Sequence, residues 1–421
     1  MPDTEDTLGP APPPMHLDPT VIARGLVKHW NYFSHHIIAS PGMAHPMQAL
    51  FEEAYVVMGA ARTMALLDDA RMTAICRRFN GRMMEYQGVH YPDMFDMGYG
   101  YNRDARGMVS CSCVADNAST ANGMLEGVRN FPHLPENPAV LASVRRYLDY
   151  CLQHFSSPRG VMGVGVLNHK INEPGLEEYW CPAALFAATL IRYAELTGET
   201  KYYDAAVPMI EFISTNDYQN TLYREWRDGA PQQILIYTSE GLIAALASAE
   251  MKKRLMVPLR LGSQSGSKAG PEAVIPDQAP NQMHQKLAST LQGGGDTIWS
   301  RLVARFGEFA DWFYQNQMAD GSFEHPANDH YRCYEPGLAW LLLDASQRVE
   351  GCAWLESIAA KQLRFLATDS GKLYYGLRAN DFASGLALLS FATAGEILKQ
   401  RDPAAWAAAL TGVFDRGEEM W

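Results

Sequence analysis

Five stretches of this sequence gather side chains able to move protons or hold a carboxylate. One runs from His90 through Arg103 to Asp116 and Asn117; the next joins Asn168 and His169 to Glu178, Tyr179 and Trp180. Tyr237 to Glu240 forms a third, His330, Tyr331, Arg332, Tyr334 and Glu335 a fourth, and Tyr374 to Asp381, with Arg378, a fifth. Two chemistries fit these types. A pair of carboxyls can hydrolyse a glycosidic bond, one staying protonated for the leaving oxygen while the other activates water. Asp116 and Glu178 are the first such pair, and Glu240, Glu335 and Asp381 are further acidic residues for the same mouth. Alternatively, an Asn/His/Arg group drawn from Asn168, His169, His330 and Arg332 can neutralise a uronate carboxylate while His169, His330, Tyr331 or Tyr334 removes the adjacent proton, giving elimination or epimerisation. Arg103, Arg332 and Arg378 serve either chemistry, since a guanidinium offers two parallel donors to a carboxylate. Asn117, Tyr179, Trp180 and Glu240 complete the set expected to touch substrate.

Taken singly, each acidic residue has a structural explanation. Asp, Asn, Ser and Glu at a helix start satisfy exposed amide donors and suit the positive end of the helix dipole. Capping does not also ask for His, Arg and several Tyr at the same ends, so their convergence predicts a polar, aromatic pocket.

The elements that would position these residues are helices. Apolar residues recur at helical spacing in most long segments, and strict two-residue alternation is short and rare. One kind of segment, such as 179–190, 239–247, 335–343 and 381–389, is small and apolar on nearly all sides, as a helix buried all round must be. The other kind, such as 137–155 and 201–214, is charged on one face and suits an outer shell. Inner helices are expected to begin near 46, 116, 179, 238, 335 and 381. Six inner and six outer helices in alternation predict an all-α (α/α)6 barrel, a toroid of six hairpins whose inner helices all start at one mouth. An open solenoid of the same period would leave its apolar inner helices wet. The domain is expected over 19–421, after an acidic, Pro-rich segment 1–18, with a polar insertion at about 256–295 whose centre is 262–282.

Composition narrows the classes further. The net charge is −12, the pI is about 5.5, and no basic run exceeds Lys252-Lys253-Arg254, so neither nucleic acid nor a membrane surface is an expected partner. No apolar stretch is expected to reach the ~20 residues of a membrane span. The acidic start lacks the basic and apolar regions of a secretion signal, which predicts a cytoplasmic protein. Seven scattered cysteines suit reduced thiols. Cys111 and Cys113 have no second Cys/His pair at zinc-ligand spacing, so no metal and no other cofactor is expected. Phosphate-loop, serine-elbow and zincin patterns are absent from the sequence.

The stretch Leu185–Ala206, with its Thr197-Gly198 turn, resembles the hairpins of six-hairpin glycosidases, including the unsaturated glucuronyl hydrolases. Gln315–Phe323, with Asp320-Gly321-Ser322, is similar to the turn before an inner helix in toroidal enzymes generally, terpene cyclases and prenyltransferases among them. The resemblance implies carbohydrate chemistry and catalytic Asp residues at the starts of the second and third inner helices. Asp116 matches the first place and Glu178 is the carboxylate nearest the second; Ala115 stands where that family commonly has His.

The leading expectation is therefore a hydrolase acting on acidic (uronate-containing) or unsaturated oligosaccharides. A lyase or epimerase is the alternative. A toroidal cyclase would need an Asp-rich motif that Asp68-Asp69 does not supply, and a non-catalytic sugar-binding protein would keep the aromatics without a carboxyl pair.

Overall fold

The computed structural model describes residues 15–39, 50–88, 111–163, 167–168, 178–215, 231–258, 296–323, 329–377 and 381–415. The segments 1–14 and 259–295, which hold most of the expected N-terminal tail and insertion, lie outside the described residues.

Fifteen α-helices are described. They are α1 (Pro19–Ala39), α2 (Leu50–Leu67), α3 (Ala70–Tyr86), α4 (Val114–Asn130), α5 (Asn137–His154), α6 (Trp180–Thr197), α7 (Lys201–Thr215) and α8 (Pro231–Ala247), followed by α9 (Ala249–Leu255), α10 (Ile298–Asn316), α11 (Leu338–Arg348), α12 (Leu355–Leu366), α13 (Asp369–Tyr374), α14 (Asp381–Arg401) and α15 (Pro403–Asp415). A 3-10 segment, Asp329–Gly337, leads into α11, and a two-residue antiparallel pair joins β1 (Cys111–Ser112) to β2 (Leu167–Asn168). Helices α2, α4, α6, α8, α11 and α14 form the inner ring: each packs on the next, and α14 packs back onto α2. That closure makes the protein an (α/α)6 toroid and removes the open-solenoid alternative. The expected inner-helix starts fall within a few residues of the observed ones, except that α8 begins at Pro231, seven residues early.

Small residues let the ring close. A Cβ on Gly241 of α8 would meet the Ala184 carbonyl of α6 at 2.5 Å, and one on Gly123 of α4 would meet Ala54 Cβ of α2 at 2.9 Å. The outer helices carry the amphipathic pattern, burying for instance Val140, Val144, Tyr147, Leu148 and Cys151 of α5 while its other face meets solvent. The Thr197-Gly198 turn is a helix stop: Gly198 takes φ 76° and its N–H reaches the Ala194 carbonyl at 2.8 Å.

Helix α14 corrects one expectation. Phe382–Arg401 is long and apolar enough to cross a membrane by length and composition, yet 83% of its most apolar stretch is buried within the protein. An inner helix of a closed ring meets neighbours on every side, and this gives it the hydropathy of a membrane span.

Candidate active site

Seen along the ring axis, α4 exposes the organisation of the interior. Asp116, Ser119, Asn122 and Glu126 follow each other at spacings of three, three and four, so they share one helix face. At 1.5 Å of rise per residue, Asn122 lies about 9 Å and Glu126 about 15 Å deeper than Asp116. Ser119, Asn122 and Glu126 each bond a polar group from another inner helix, and the charge of Asp116 acts on Tyr237 of α8. The barrel therefore has a polar axis, with a mouth at the start of α4 and a charged floor at its far end.

At the mouth, Asp116 sits in the first turn of α4, after the N-cap Cys113, whose thiol donates to Asp116 Oδ2 across 2.7 Å. Burial pushes the Asp116 carboxyl up to about 6, against the lowering effect of that thiol. The charge of Asp116 in turn reaches two tyrosines, Tyr237 of α8 and Tyr334 of the 3-10 segment. Their rings meet edge to face, centroids 5.8 Å apart, and Tyr334 also packs against Phe382 at 4.8 Å. Burial first, and the nearby acidic groups with it, pushes both phenols well above their ordinary value, so both hold their protons. One layer deeper, Tyr55 of α2 bonds Ser119 at 3.2 Å and packs on Phe382 and Trp340.

The floor is ionic. Arg192 of α6 pairs with Glu240 Oε1, which also accepts from Asn122 Nδ2 at 3.2 Å. Arg62 of α2 reaches Glu126 at 2.9 Å, Asp344 of α11 at 3.1 Å and Thr393 of α14 at 2.9 Å, with Glu396 at 4.0 Å. All six inner helices are thus joined through buried polar groups. Burial raises Glu240 and brings Glu396 up to about 7, whereas burial of Glu126 and Asp344 is outweighed by arginines acting together, Arg62 first and then Arg129 and Arg192 on Glu126 and Arg348 and Arg192 on Asp344, so both end below their ordinary value.

The residues singled out in sequence divide accordingly. The charge of Asp116 acts on the Tyr334 phenol. Arg332 is half-buried, with its guanidinium 4.6 Å above the Tyr374 ring. Glu178 bridges Gly163 through its backbone, accepts from Ser157 Oγ at 2.5 Å and pairs with Arg159, while the Asp116 carboxyl bonds Cys113. Tyr179 is the half-buried N-cap of α6.

Four of the residues expected to touch substrate are buried. Trp180 is only 1% exposed, set edge to face with Phe309 under the Arg305 guanidinium, so its faces are taken by the protein. Glu335 is 0% exposed; its carbonyl accepts from Gln362 and its carboxyl faces Tyr375. Asn117 turns back to the Cys113 carbonyl at 2.8 Å, a helix-start bond. Glu240 belongs to the floor rather than the mouth.

Arg103, His169 and Arg378 lie outside the described residues. Asn168 lies in β2, His330 and Tyr331 in the 3-10 segment, and Asp381 at the start of α14, with their side chains outside the described set. Among the described residues no group of three or more His, Cys, Asp or Glu is placed to hold a metal ion.

Sequence reasoning passed over Tyr55, Arg62, Arg192, Asp344 and Glu396. A signal existed in α4, where the polar residues 116, 119, 122 and 126 fall on one helix face.

No protein-family model matches the chain, and no curated protein sequence does. Its fold class is shared with solved (α/α)6 enzymes. The chain is similar to an unsaturated glucuronyl hydrolase specific for heparin, with a TM-score of 0.57 at 11% identity, over 91% of this chain and 99% of that one. It also matches the cellobiose 2-epimerase of Bacillus thermoamylovorans B4167 (9% identity, 77% of each chain, TM-score 0.47) and a sugar epimerase from a ruminal bacterium (9%, 74% of each chain, 0.44). The likeness to the glucuronyl hydrolase agrees with the fold that the ring of helices defines.

Proposed function

We propose that the protein is a carbohydrate-active enzyme that opens acidic, unsaturated oligosaccharides, with Asp116 as its acid/base group. The observation that supports this most is the Asp116 carboxyl itself, held by the Cys113 thiol in the first turn of an inner helix, pushed up to about 6 by burial, and acting through its charge on two protonated tyrosines. A carboxyl near neutrality can both give and take a proton at working pH. The heparin-specific unsaturated glucuronyl hydrolase, which shares the fold, supports the substrate class.

An unsaturated uronate carries an enol ether, and its chemistry needs only one such group. Asp116 gives its proton to C4, and the positive charge that develops at C5 is shared with the ring oxygen. Water adds to C5 and returns a proton to the carboxylate; the resulting hemiketal opens and releases the neighbouring sugar. Tyr237 and Tyr334, which hold their protons, act as donors to substrate oxygens. Arg332, steadied on Tyr374, is the partner for the uronate carboxylate. Elimination is less well supported, because a phenol pushed far above its ordinary value is a poor general base at neutral pH.

The test is ultraviolet absorbance of the 4,5-unsaturated uronate during incubation with unsaturated disaccharides from heparin, chondroitin and hyaluronan. Absorbance is expected to fall with the intact chain and to hold steady with Asp116→Asn. A rise on intact polysaccharide instead would establish the lyase, and no change on any of these substrates would remove the proposal.

A further inference from the structure

Cys113 stands where a helix usually begins with Ser, Thr, Asp or Asn, whose side-chain oxygen accepts from the first free amides. Its backbone is extended, as an N-cap requires, but its side chain makes no capping bond. Instead the thiol, a weak donor, is aimed at the carboxyl three residues on, with Sγ 2.7 Å from Asp116 Oδ2. The corner that carries it is well anchored. Asn117 binds the Cys113 carbonyl through both its amide N–H, at 3.1 Å, and its side chain, at 2.8 Å. Tyr147 of α5 donates to the carbonyl of the next residue, Val114, at 2.9 Å.

We propose that Cys113 is the positioning residue of the mouth carboxyl: its thiol fixes Asp116 Oδ2 by a hydrogen bond and leaves Oδ1 as the oxygen that exchanges a proton with substrate. The inference rests on the reading of Asp116 as the acid/base group and adds a second residue to it. A donor on Oδ2 favours the ionised carboxylate and so opposes burial. The other titratable groups facing Asp116 are Tyr237 from α8 and Tyr334 from the 3-10 segment; Tyr55 from α2 is engaged by Ser119 one layer down, and Arg192 and Glu240 lie a further layer down. Among the described residues the thiol is the donor that acts on Oδ2, so its loss removes that bond. A serine hydroxyl can replace it and an alanine cannot.

Two measurements on the full chain test this. The first needs no substrate: the rate at which iodoacetamide alkylates Cys113, followed by peptide mass spectrometry at pH 8, in the parent protein and in Asp116→Asn. An ionised carboxylate beside the thiol disfavours thiolate, so alkylation is expected to be several-fold faster in Asp116→Asn, on the order of 3–10-fold. Equal rates would overturn the contact.

The second measurement is kcat/KM against pH on an unsaturated disaccharide for Cys113→Ala and Cys113→Ser. Whether Asp116 acts as acid or base, loss of the donor moves its limb of the profile to higher pH, by about 0.5–1 unit in Cys113→Ala, with Cys113→Ser returning close to the parent. Profiles of the alanine and serine variants that coincide with the parent's would refute the role. A parent protein inactive on every unsaturated sugar would remove the acid/base reading, while the alkylation rates would still decide whether thiol and carboxyl are paired.

Discussion

Replacing Arg62 with Met tests whether the charged floor holds the ring together. Met keeps most of the side-chain volume and removes the guanidinium, which is 8% exposed and binds Glu126, Asp344 and Thr393 from three other inner helices. Breaking a buried pair by deleting one partner costs about 3–5 kcal/mol, because the other charge stays buried without compensation. Here two carboxylates lose their main partner, although Arg129 and Arg192 still act on Glu126, and Arg348 and Arg192 on Asp344; the lower half of that range is therefore expected. With about 2 cal/mol/K of unfolding entropy per residue, a chain this long shifts by roughly 1 °C in Tm for each kcal/mol, giving a fall of about 3–4 °C at pH 7.5.

The pH dependence of that fall carries the electrostatic reasoning. In the parent protein Glu126 and Asp344 lie below their unfolded values, so their stabilisation is present above about pH 4 and is lost only as the pH drops through the lowered folded values. In Arg62→Met burial acts without the guanidinium, and both carboxyls move up. A raised carboxyl works in the opposite sense, stabilising at low pH and losing that stabilisation as the pH rises. The Tm difference between parent and variant should therefore narrow from pH 7.5 to pH 5, in thermal scans at matched rates. A difference below about 1 °C at pH 7.5, or one independent of pH, would refute the account of the floor.

Four further outcomes follow from the mouth and the packing around it. Asp116→Asn should lower turnover of an unsaturated disaccharide by about 10²–10⁴-fold with the far-ultraviolet circular dichroism unchanged. Glu178→Gln, by contrast, touches a carboxylate already bonded to Ser157 and Arg159, and should leave turnover within about tenfold; a loss matching that of Asp116→Asn would restore a two-carboxylate mechanism. If Asp116 delivers the proton, kcat/KM should fall about tenfold per pH unit above its value of about 6, since the protonated fraction is lost as the pH rises; a flat profile to pH 9 would contradict this. Trp180→Ala should cost about 3–5 kcal/mol in denaturant unfolding while changing KM little, because the ring packs on Phe309 and Arg305 inside the wall; a large KM effect with unaltered stability would return it to the pocket.

Helical periodicity and the alternation of all-apolar with amphipathic segments were enough to read the toroid, because a closed ring forces its inner helices to be buried on every side. The same logic hid part of the interior. A helix such as α8, with Thr238, Ser239, Glu240 and Gly241 among Leu, Ile and Ala, reads as core with an occasional polar residue, and nothing local says that Glu240 will meet Arg192 from the neighbouring helix. Long-range pairing of this kind depends on ring closure, and ring closure is not visible in any one segment. At the mouth, residue type was a better guide than chain position. The charge of Asp116 reaches the Tyr334 phenol, while Trp180, the first residue of α6, is buried in the protein, since each step along a helix turns the side chain by about 100°; Glu335, in the 3-10 segment before α11, is buried as well.

That rotation also explains why carboxylates at equivalent helix starts need not converge. Asp116 is the third residue of α4, and its stripe continues inward through Ser119 and Asn122. Glu178 precedes the N-cap of α6 and remains in extended chain, where its backbone bridges Gly163 and its side chain is drawn to Arg159. A carboxylate before the cap belongs to the loop, and one inside the first turn belongs to the axis of the ring.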